Sequence, residues 1–209
     1  MRCTDKLEEA VRREGFTLIA GLDEAGRGSL FGPVYAAAVI LDPRRPVPGL
    51  ADSKVLAPAR RAQLAAEIQA TAVAWALGVA DAVEIDRINI YQASRLAMRR
   101  AVAGLHPAPD YLLIDALTID WPGPQRGIIK GDAQVRSIAA ASILAKTSRD
   151  ACLVEWDRHC PGYGLARHKG YPTAEHRAAL LRLGPSPQHR RSYAPVAEAW
   201  QALAQAAAL

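Results

Sequence analysis

Hydrophobic residues in this chain occur either in short unbroken runs or at the three-to-four-residue spacing of a helix face. Short apolar runs that contain β-branched residues and stop at turn-forming residues predict buried strands. Runs of this kind lie at residues 18–22, 34–41, 71–80, 111–115 and 127–129. The pattern therefore predicts five strands.

Helical spacing and helix-end signals place the predicted helices between and after these strands. Pro58 suits the first turn of one helix, and Pro107 and Pro109 follow the end of another near Gly104. The predicted helices cover residues 5–14, about 58–70, from just after Asp86 or Asn89 to about 104, about 135–156, and 196–209.

The order of these elements predicts the fold class. Three early strands followed by strands that alternate with helices indicate an α/β protein with a mixed sheet. We expect an antiparallel three-strand meander, extended by parallel strands and flanked by helices. The length of 209 residues fits one domain, 1–209, in which residues 173–209 form a helical C-terminal extension.

Composition narrows the class of protein. Half of the residues are hydrophobic and few are aromatic, so the core must consist largely of Ala, Leu, Val and Ile. No apolar run approaches the ~20 residues of a membrane span. The three cysteines, Cys3, Cys152 and Cys160, contain no Cys-x-x-Cys pair, which argues against a disulfide framework or a structural zinc site. We expect a soluble, cytoplasmic protein.

Positive charge is concentrated in one part of the chain. Residues 146–193 contain nine Lys/Arg and four Asp/Glu, which accounts for the whole net charge of +5. A basic region beside an acidic site suits a polyanionic substrate, although a merely soluble surface has the same composition.

Candidate metal ligands follow the first predicted strand, which ends in Asp23 and Glu24. Mg2+ binds in proteins through one or two carboxylates, waters and a substrate phosphate. The next residues, Gly26, Arg27 and Gly28, allow a close backbone approach and add a planar donor group. An ordinary hairpin turn is the alternative. A dinucleotide-binding loop is excluded because a strand, not a helix, follows.

Two further acids occupy comparable positions, Asp115 at the end of a predicted strand and Asp132 before a long helix. If the strands are neighbours, the four carboxylates converge, and clustered carboxylates are tolerated mainly where cations neutralise them. Two ions would suit phosphodiester hydrolysis. Taken singly, Asp115 could instead cap a loop, and Asp132 could be a helix N-cap.

These motifs resemble those of the ribonuclease HII family, the type 2 ribonucleases H. The resemblance spans roughly residues 17–178 and rests on five blocks in order. They are Asp23-Glu24-Ala25-Gly26-Arg27-Gly28 with Gly32-Pro33, then Asp52-Ser53-Lys54, then residues 85–90 with Ala93 and Met98, then Lys130-Gly131-Asp132 with residues 137–150, and finally His168-Lys169-Gly170-Tyr171-Pro172-Thr173 with His176.

The chain departs from the family pattern in two places. Ser29 and Phe31 stand where the family more often has Pro and Ala, which should alter only loop packing. Ala116 and Leu117 follow Asp115 where Gly-Asn is usual. The second departure removes any contact that the asparagine would make.

The resemblance implies a ribonuclease H-like fold and a metal-dependent endoribonuclease. Such an enzyme hydrolyses the RNA strand of RNA–DNA hybrids and nicks duplex DNA 5′ of embedded ribonucleotides, as in ribonucleotide excision repair, leaving 3′-hydroxyl and 5′-phosphate ends. The implied catalytic metal ligands, for Mg2+ or Mn2+, are Asp23, Glu24, Asp115 and Asp132. The implied substrate contacts are Gly26, Arg27, Gly28, Lys54, Ser142, Lys146, Lys169 and Tyr171.

Residue chemistry supports part of this assignment. Ser142, Lys146 and Arg149 share one helix face that can donate to phosphates, although such side chains are often simply solvated. Tyr171 beside cationic residues can stack on a sugar or base, or can fill the core. We expect a monomer, and a sliding clamp is a conceivable partner.

Two rival functions stay open at this stage. One is another nuclease on the same sheet, such as an integrase or resolvase, which would cut all-DNA substrate. The other is a non-catalytic module that binds hybrids, for which four placed carboxylates have no purpose.

Overall fold

A computed structural model describes residues 3–206, and five strands in it form one sheet. The strands are β1 (Ile19–Ala25), β2 (Val34–Ile40), β3 (Ala74–Ala80), β4 (Tyr111–Asp115) and β5 (Gln125–Ile128). Their order is β3-β2-β1-β4-β5. The β1–β2 and β2–β3 pairs are antiparallel, whereas the β1–β4 and β4–β5 pairs are parallel. The predicted meander with a parallel extension is confirmed.

Seven helices in the described part of the chain surround the sheet. They are α1 (Lys6–Arg13), α2 (Pro58–Thr71), α3 (Ala82–Ala103), α4 (Arg136–His159), α5 (Leu165–His168), α6 (Ala174–Leu183) and α7 (Ala194–Ala206). A 3-10 turn covers Gly131–Ala133. The predicted last helix begins two residues earlier than expected, and its predicted final residues, 207–209, lie outside the described residues.

Several other boundaries differ from the sequence-based prediction. Helix α2 runs to Thr71, so β3 begins at Ala74 rather than at residue 71. Strand β5 lies about two residues earlier than predicted. Helix α3 begins before Asp86, because Asp81 and Glu84 form a capping box at its start.

A kink explains why α3 was predicted to begin too late. Asn89 has non-helical backbone angles, with φ of 65°, and its side chain accepts a hydrogen bond from the amide of Gln92 at 3.1 Å. Asn89 therefore caps the second half of α3, and the helical period restarts there.

The two faces of the sheet bury different halves of the core. Ala20 and Leu22 of β1 pack in the cluster that includes the buried residues of α3. Gly21, between them, faces α4 so closely that a Cβ there would lie 2.1 Å from the carbonyl carbon of Ser137. The side chain of Asp23, two residues further along β1, therefore points toward α4.

A separate cluster joins the C-terminal extension to the rest of the protein. Phe31 and Leu153 pack there against Leu180 of α6 and Val196 of α7. Within residues 3–206, no helix is both long enough and apolar enough to cross a bilayer.

This C-terminal layer also buries two histidines. Burial lowers the pKa of His176 to about 4 and that of His189 to about 3. In the unfolded chain these groups take up protons near pH 6.5. Their neutral forms therefore contribute fully to stability above pH 6.5, and this contribution is lost as the pH falls toward 4.

We therefore expect acid to destabilise the protein through this pair. Between pH 6.5 and 4.5 this pair should lower the unfolding free energy of the wild type, which urea denaturation measures. His189→Gln should show a shallower fall, because glutamine takes up no proton. Equal slopes for the two proteins would contradict this account.

Candidate active site

Strand pairing places Asp23 and Asp115 side by side. In the parallel pairing of β1 with β4, Leu22 lies opposite Ile114, and the two aspartates are the next residue on each strand. Neighbouring strands lie ~4.8 Å apart. The two carboxylates therefore meet at one edge of the sheet, on the side covered by α4.

The 3-10 turn brings a third acid to the same place. The amide of Gly131 donates a hydrogen bond to Asp115 Oδ1 at 2.7 Å, so the neighbouring Asp132 lies beside Asp115. Asp132 is buried, and its Oδ2 is 3.5 Å from Nζ of the exposed Lys54.

Asp132 is not the N-cap of α4. The residue before that helix is Val135, and the amide of Ser137 in its first turn donates to Glu8 Oε1 at 2.9 Å. Glu8 of α1 thus caps the first turn of α4, which is the role that the sequence analysis gave as the alternative for Asp132.

The electrostatics show that the acids act on one another. Burial, followed by the charges of Glu24 and Asp115, raises the pKa of Asp23 well above its usual value. Burial raises the pKa of Asp115, and the charge of Asp132 adds to the effect. Burial also raises the pKa of Glu24, against the opposing effect of Arg27. Such mutual repulsion costs free energy that a cation would relieve.

The donors present suit a hard divalent cation that is held only in part by protein. In residues 3–206, no three His, Cys, Asp or Glu side chains are placed to hold a metal ion by themselves. Glu24 Oε2 is buried without a hydrogen-bond partner, however, and is therefore free to bind a metal ion. This agrees with Mg2+ chemistry, in which one or two carboxylates are supplemented by water and substrate phosphate oxygens.

A cleft of about 570 Å³ opens beside Asp23 and Glu24. Seven of the eight predicted substrate contacts line it, namely Gly26, Arg27, Gly28, Lys54, Ser142, Lys146 and Tyr171. Ser53 and Arg61 also line the cleft. Ser53 lay within a motif of the sequence, whereas nothing in the sequence distinguished Arg61 from its neighbour Arg60.

Lys169 is the predicted contact that does not line this cleft. Its ammonium group donates to the carbonyl oxygen of Ala166 in α5, the short helix that ends just before Lys169. Its assignment as a substrate contact stays a prediction.

The prediction that Arg149 presents donors to phosphate together with Ser142 and Lys146 is wrong. Arg149 is fully buried, and its guanidinium donates to the carbonyls of Phe31, Pro33 and Lys169 at 3.0–3.2 Å. Burial lowers its pKa. Lys146 on the same helix reaches the cleft and pairs with Asp150 at 2.6 Å.

The glycine-rich turn is shaped by this arginine. Gly26 has φ of +100°, and a Cβ there would lie 2.0 Å from Arg149 Nε. The turn continues with Arg27, whose Nη1 donates to Glu24 Oε1 at 3.3 Å. The Arg27 carbonyl accepts hydrogen bonds from Arg190 at 2.9 Å and from the Tyr193 hydroxyl at 2.5 Å. Only glycine fits at Gly26.

Tyr171 lines the cleft beside the glycine-rich turn and α4. Lys146 Nζ and Arg149 Cζ each lie 5.6 Å from the centre of its ring, within range of cation–π attraction. One ring carbon is 4.0 Å from where a Cβ on Gly28 would stand. The ring is half-buried, so part of it stays available for stacking.

This mixed sheet, with carboxylates at adjoining strand ends beside a basic cleft, defines a nuclease of the ribonuclease H class. A family model described as Ribonuclease HII matches residues 20–196. Ribonuclease HII of Solibacter usitatus (strain Ellin6076) is 56% identical over 195 residues, which are 93% of this chain and 86% of that protein. The chain belongs to the ribonuclease HII family.

Two solved structures share the fold at lower identity. RNase HII in a complex with PCNA from Archaeoglobus fulgidus has a TM-score of 0.74 and 22% identity, covering 87% of this chain and 96% of that one. Bst-RNase HIII in complex with Mn2+ has a TM-score of 0.69 and 21% identity, covering 92% and 72%.

Membership of the ribonuclease HII family establishes the broad activity of the protein. The protein is a hydrolase, a nuclease with ribonuclease H endonuclease activity on RNA–DNA hybrids, and metal dependence is standard for its family. An integrase or resolvase, and a module without catalysis, are thereby excluded.

The family departure at Ala116 has a structural cost. Ala116 is exposed and adopts φ of 53°, in the left-handed region, while its amide donates to the Ile128 carbonyl at 2.9 Å. A residue with a Cβ costs roughly 1–2 kcal/mol in this conformation, and glycine does not.

We therefore expect Ala116→Gly to stabilise the protein by up to about 1 kcal/mol, because relief of strain exceeds the entropy gained by the unfolded chain. Ala66→Gly, at an exposed position inside α2, is the matched control and should destabilise by about 1 kcal/mol. Urea denaturation measures both. A loss of stability in both variants would show that the backbone at Ala116 is unstrained.

Proposed function

We propose that this ribonuclease nicks duplex DNA on the 5′ side of an embedded ribonucleotide and leaves 3′-hydroxyl and 5′-phosphate ends. The observation that carries the proposal is one cleft that is lined by Asp23 and Glu24 together with the turn Gly26-Arg27-Gly28 and Tyr171. Groups suited to cutting a phosphodiester thus adjoin groups suited to testing the sugars on either side of it.

In this proposal Asp23, Glu24, Asp115 and Asp132 hold Mg2+ or Mn2+. When bound, two such ions activate a water and stabilise the leaving oxygen. The complex of Bst-RNase HIII with Mn2+ supports the choice of ions. The raised pKa of Asp23 and the unpartnered Oε2 of Glu24 support the choice of ligands.

In this proposal, the turn Gly26-Arg27-Gly28 and Tyr171 discriminate between RNA and DNA. The 2′-hydroxyl both donates and accepts hydrogen bonds, and it is the group that distinguishes RNA from DNA. The backbone at Gly26 and Gly28 can approach a ribose without side-chain obstruction, and Arg27 supplies donors. The ring of Tyr171 then packs on the following deoxyribose, which a second 2′-hydroxyl would crowd.

Cations and hydroxyls around the cleft bind the phosphate backbone. We assign this role to Lys54, Ser142 and Lys146, and we add Ser53 and Arg61 because they line the same cleft. The hydroxyls of Ser53 and Ser142 are 2.9 Å apart, so one donates to the other and the proton of the second is available for a phosphate. These contacts give affinity and salt dependence without sequence preference.

We also propose that the protein acts as a monomer and that a sliding clamp is a partner. A single chain supplies every residue that lines the cleft. The archaeal complex of RNase HII with PCNA supports the second part. Light scattering with and without the clamp tests both parts, and a stable dimer or an absent complex would contradict one of them.

The proposed specificity predicts one cut in a DNA duplex that contains a single ribonucleotide. With Mg2+ or Mn2+, an end-labelled duplex should be nicked only 5′ of the ribonucleotide, and EDTA should abolish the nick. The matched all-DNA duplex should stay intact. The contrary result is cleavage of a hybrid that has one complete RNA strand, with no nick in the duplex that contains a single ribonucleotide. This would show that the enzyme acts only on long hybrids.

The metal-ligand assignment predicts that Asp115→Asn separates binding from cleavage. Cleavage should fall at least about 100-fold, more than the loss of an outer-shell partner costs. Binding of the duplex should persist or strengthen, since one negative charge facing the phosphates is removed. Asp120→Asn, at an exposed acid paired with Arg99, should retain cleavage. Gel-shift and end-label assays measure the two properties, and equal losses in both would contradict the assignment.

A further inference from the structure

Two buried imidazoles contact each other in the C-terminal extension. Nε2 of His176 is 3.1 Å from Nε2 of His189, and both side chains are almost completely buried. A hydrogen bond between two ring nitrogens requires a proton on one and a lone pair on the other. One histidine of the pair must therefore donate this hydrogen bond and the other must accept it.

The partners of the other nitrogens determine which histidine donates. The amide of Ser186 donates to Nδ1 of His189 at 2.9 Å, so that nitrogen carries no proton. The proton of neutral His189 is then on Nε2 and is donated to His176. His176 in turn keeps its proton on Nδ1, which lies 3.1 Å from the carbonyl oxygen of Tyr171. One chain of hydrogen bonds runs from Ser186 to Tyr171.

The groups around the pair preserve the neutral tautomers. His168 stacks on His176 with ring centres 4.5 Å apart, and its Nδ1 accepts a hydrogen bond from the Gly170 amide. The rings of Phe31 and Tyr163 cover His189. The nearby carboxylate of Glu175 is paired with Arg167. A second proton on the pair would place two donors face to face.

This chain of hydrogen bonds ends on the backbone of the sugar-contacting residue. The Tyr171 carbonyl accepts from both the Thr173 amide, at 2.8 Å, and His176. The Tyr171 amide donates to the His168 carbonyl at 3.0 Å. The peptide groups on both sides of the ring are thus fixed, and with them the position of the ring over the cleft.

We propose that His189 is a positioning residue that acts through His176 to hold Tyr171 in place for substrate. The C-terminal extension then contributes to recognition at the cleft without touching substrate. This inference rests on the proposed function, in which Tyr171 contacts the deoxyribose.

The hydrogen bonds that run from Ser186 through His189 and His176 to Tyr171 form a bridge, and two substitutions at His189 test it. Gln places an amide NH2 near the position of Nε2 and can still donate to His176, whereas Asn keeps an acceptor for Ser186 but is too short to reach His176. Against the single-ribonucleotide duplex, we expect His189→Asn to lose about 10- to 100-fold in kcat/KM, the scale of a misplaced contact group. His189→Gln should stay close to the wild type.

A double-mutant cycle separates positioning from general destabilisation. In the Tyr171→Ala background, His189→Asn should cause no further loss of kcat/KM, because its effect passes through the missing ring. Additive losses would overturn the proposal, as would equal activity of the Asn and Gln variants. Thermal unfolding of each variant verifies that it is folded at the assay temperature.

Nitrogen NMR of the wild type tests the bridge independently of activity. The spectra should show neutral His189 protonated on Nε2 and neutral His176 protonated on Nδ1 at pH 7. The opposite tautomers, or a charged ring, would overturn the bridge even in an active enzyme. A wild type with these tautomers that fails to nick the ribonucleotide duplex would contradict the proposed function but leave the bridge intact.

Discussion

The arrangement of the cleft depends on the burial of one arginine. Within residues 3–206 no carboxylate forms an ion pair with Arg149, and its guanidinium is satisfied by backbone carbonyls of Phe31, Pro33 and Lys169. A buried charge is tolerated only when its donors are hydrogen-bonded. The need to satisfy this charge brings together the segment before β2 and the segment that carries Tyr171. The same side chain fills the space left by Gly26, so one residue sets the distance between the glycine-rich turn and the segment that carries Tyr171.

The sheet and its acids could be predicted because they depend on local pattern and simple pairing rules. Apolar runs located all five strands, and the order of elements gave the mixed sheet. Once β1 and β4 are parallel neighbours, Asp23 and Asp115 must adjoin, whatever the rest of the chain does. The start of α3 was misjudged because the kink at Asn89 breaks the helical period, while the capping residue Asp81 lies further upstream.

The walls of the cleft could not be predicted in the same way. Lys146 and Arg149 lie three residues apart on one helix, yet one lines the cleft and the other is buried. The difference arises from loops that cover Arg149 and are distant in sequence. Arg61 reaches the cleft from α2, and the partnership of His176 with His189 exists only after the extension has folded. Such long-range contacts leave no periodic signal in the sequence.

The contacts of Arg27 have a consequence for the order of folding. Its carbonyl is held by Arg190 and Tyr193, which follow it by 163 and 166 residues. All five strands, by contrast, are complete by Ile128. During synthesis on the ribosome, the segments that carry the sheet and its carboxylates emerge well before the residues that anchor the turn, because synthesis proceeds from the N-terminus. Contacts between residues that are distant in sequence also form late in folding. A nascent chain thus carries the acids before it carries the residues that hold the substrate-contacting turn beside them, so the two parts of the cleft come together late in folding.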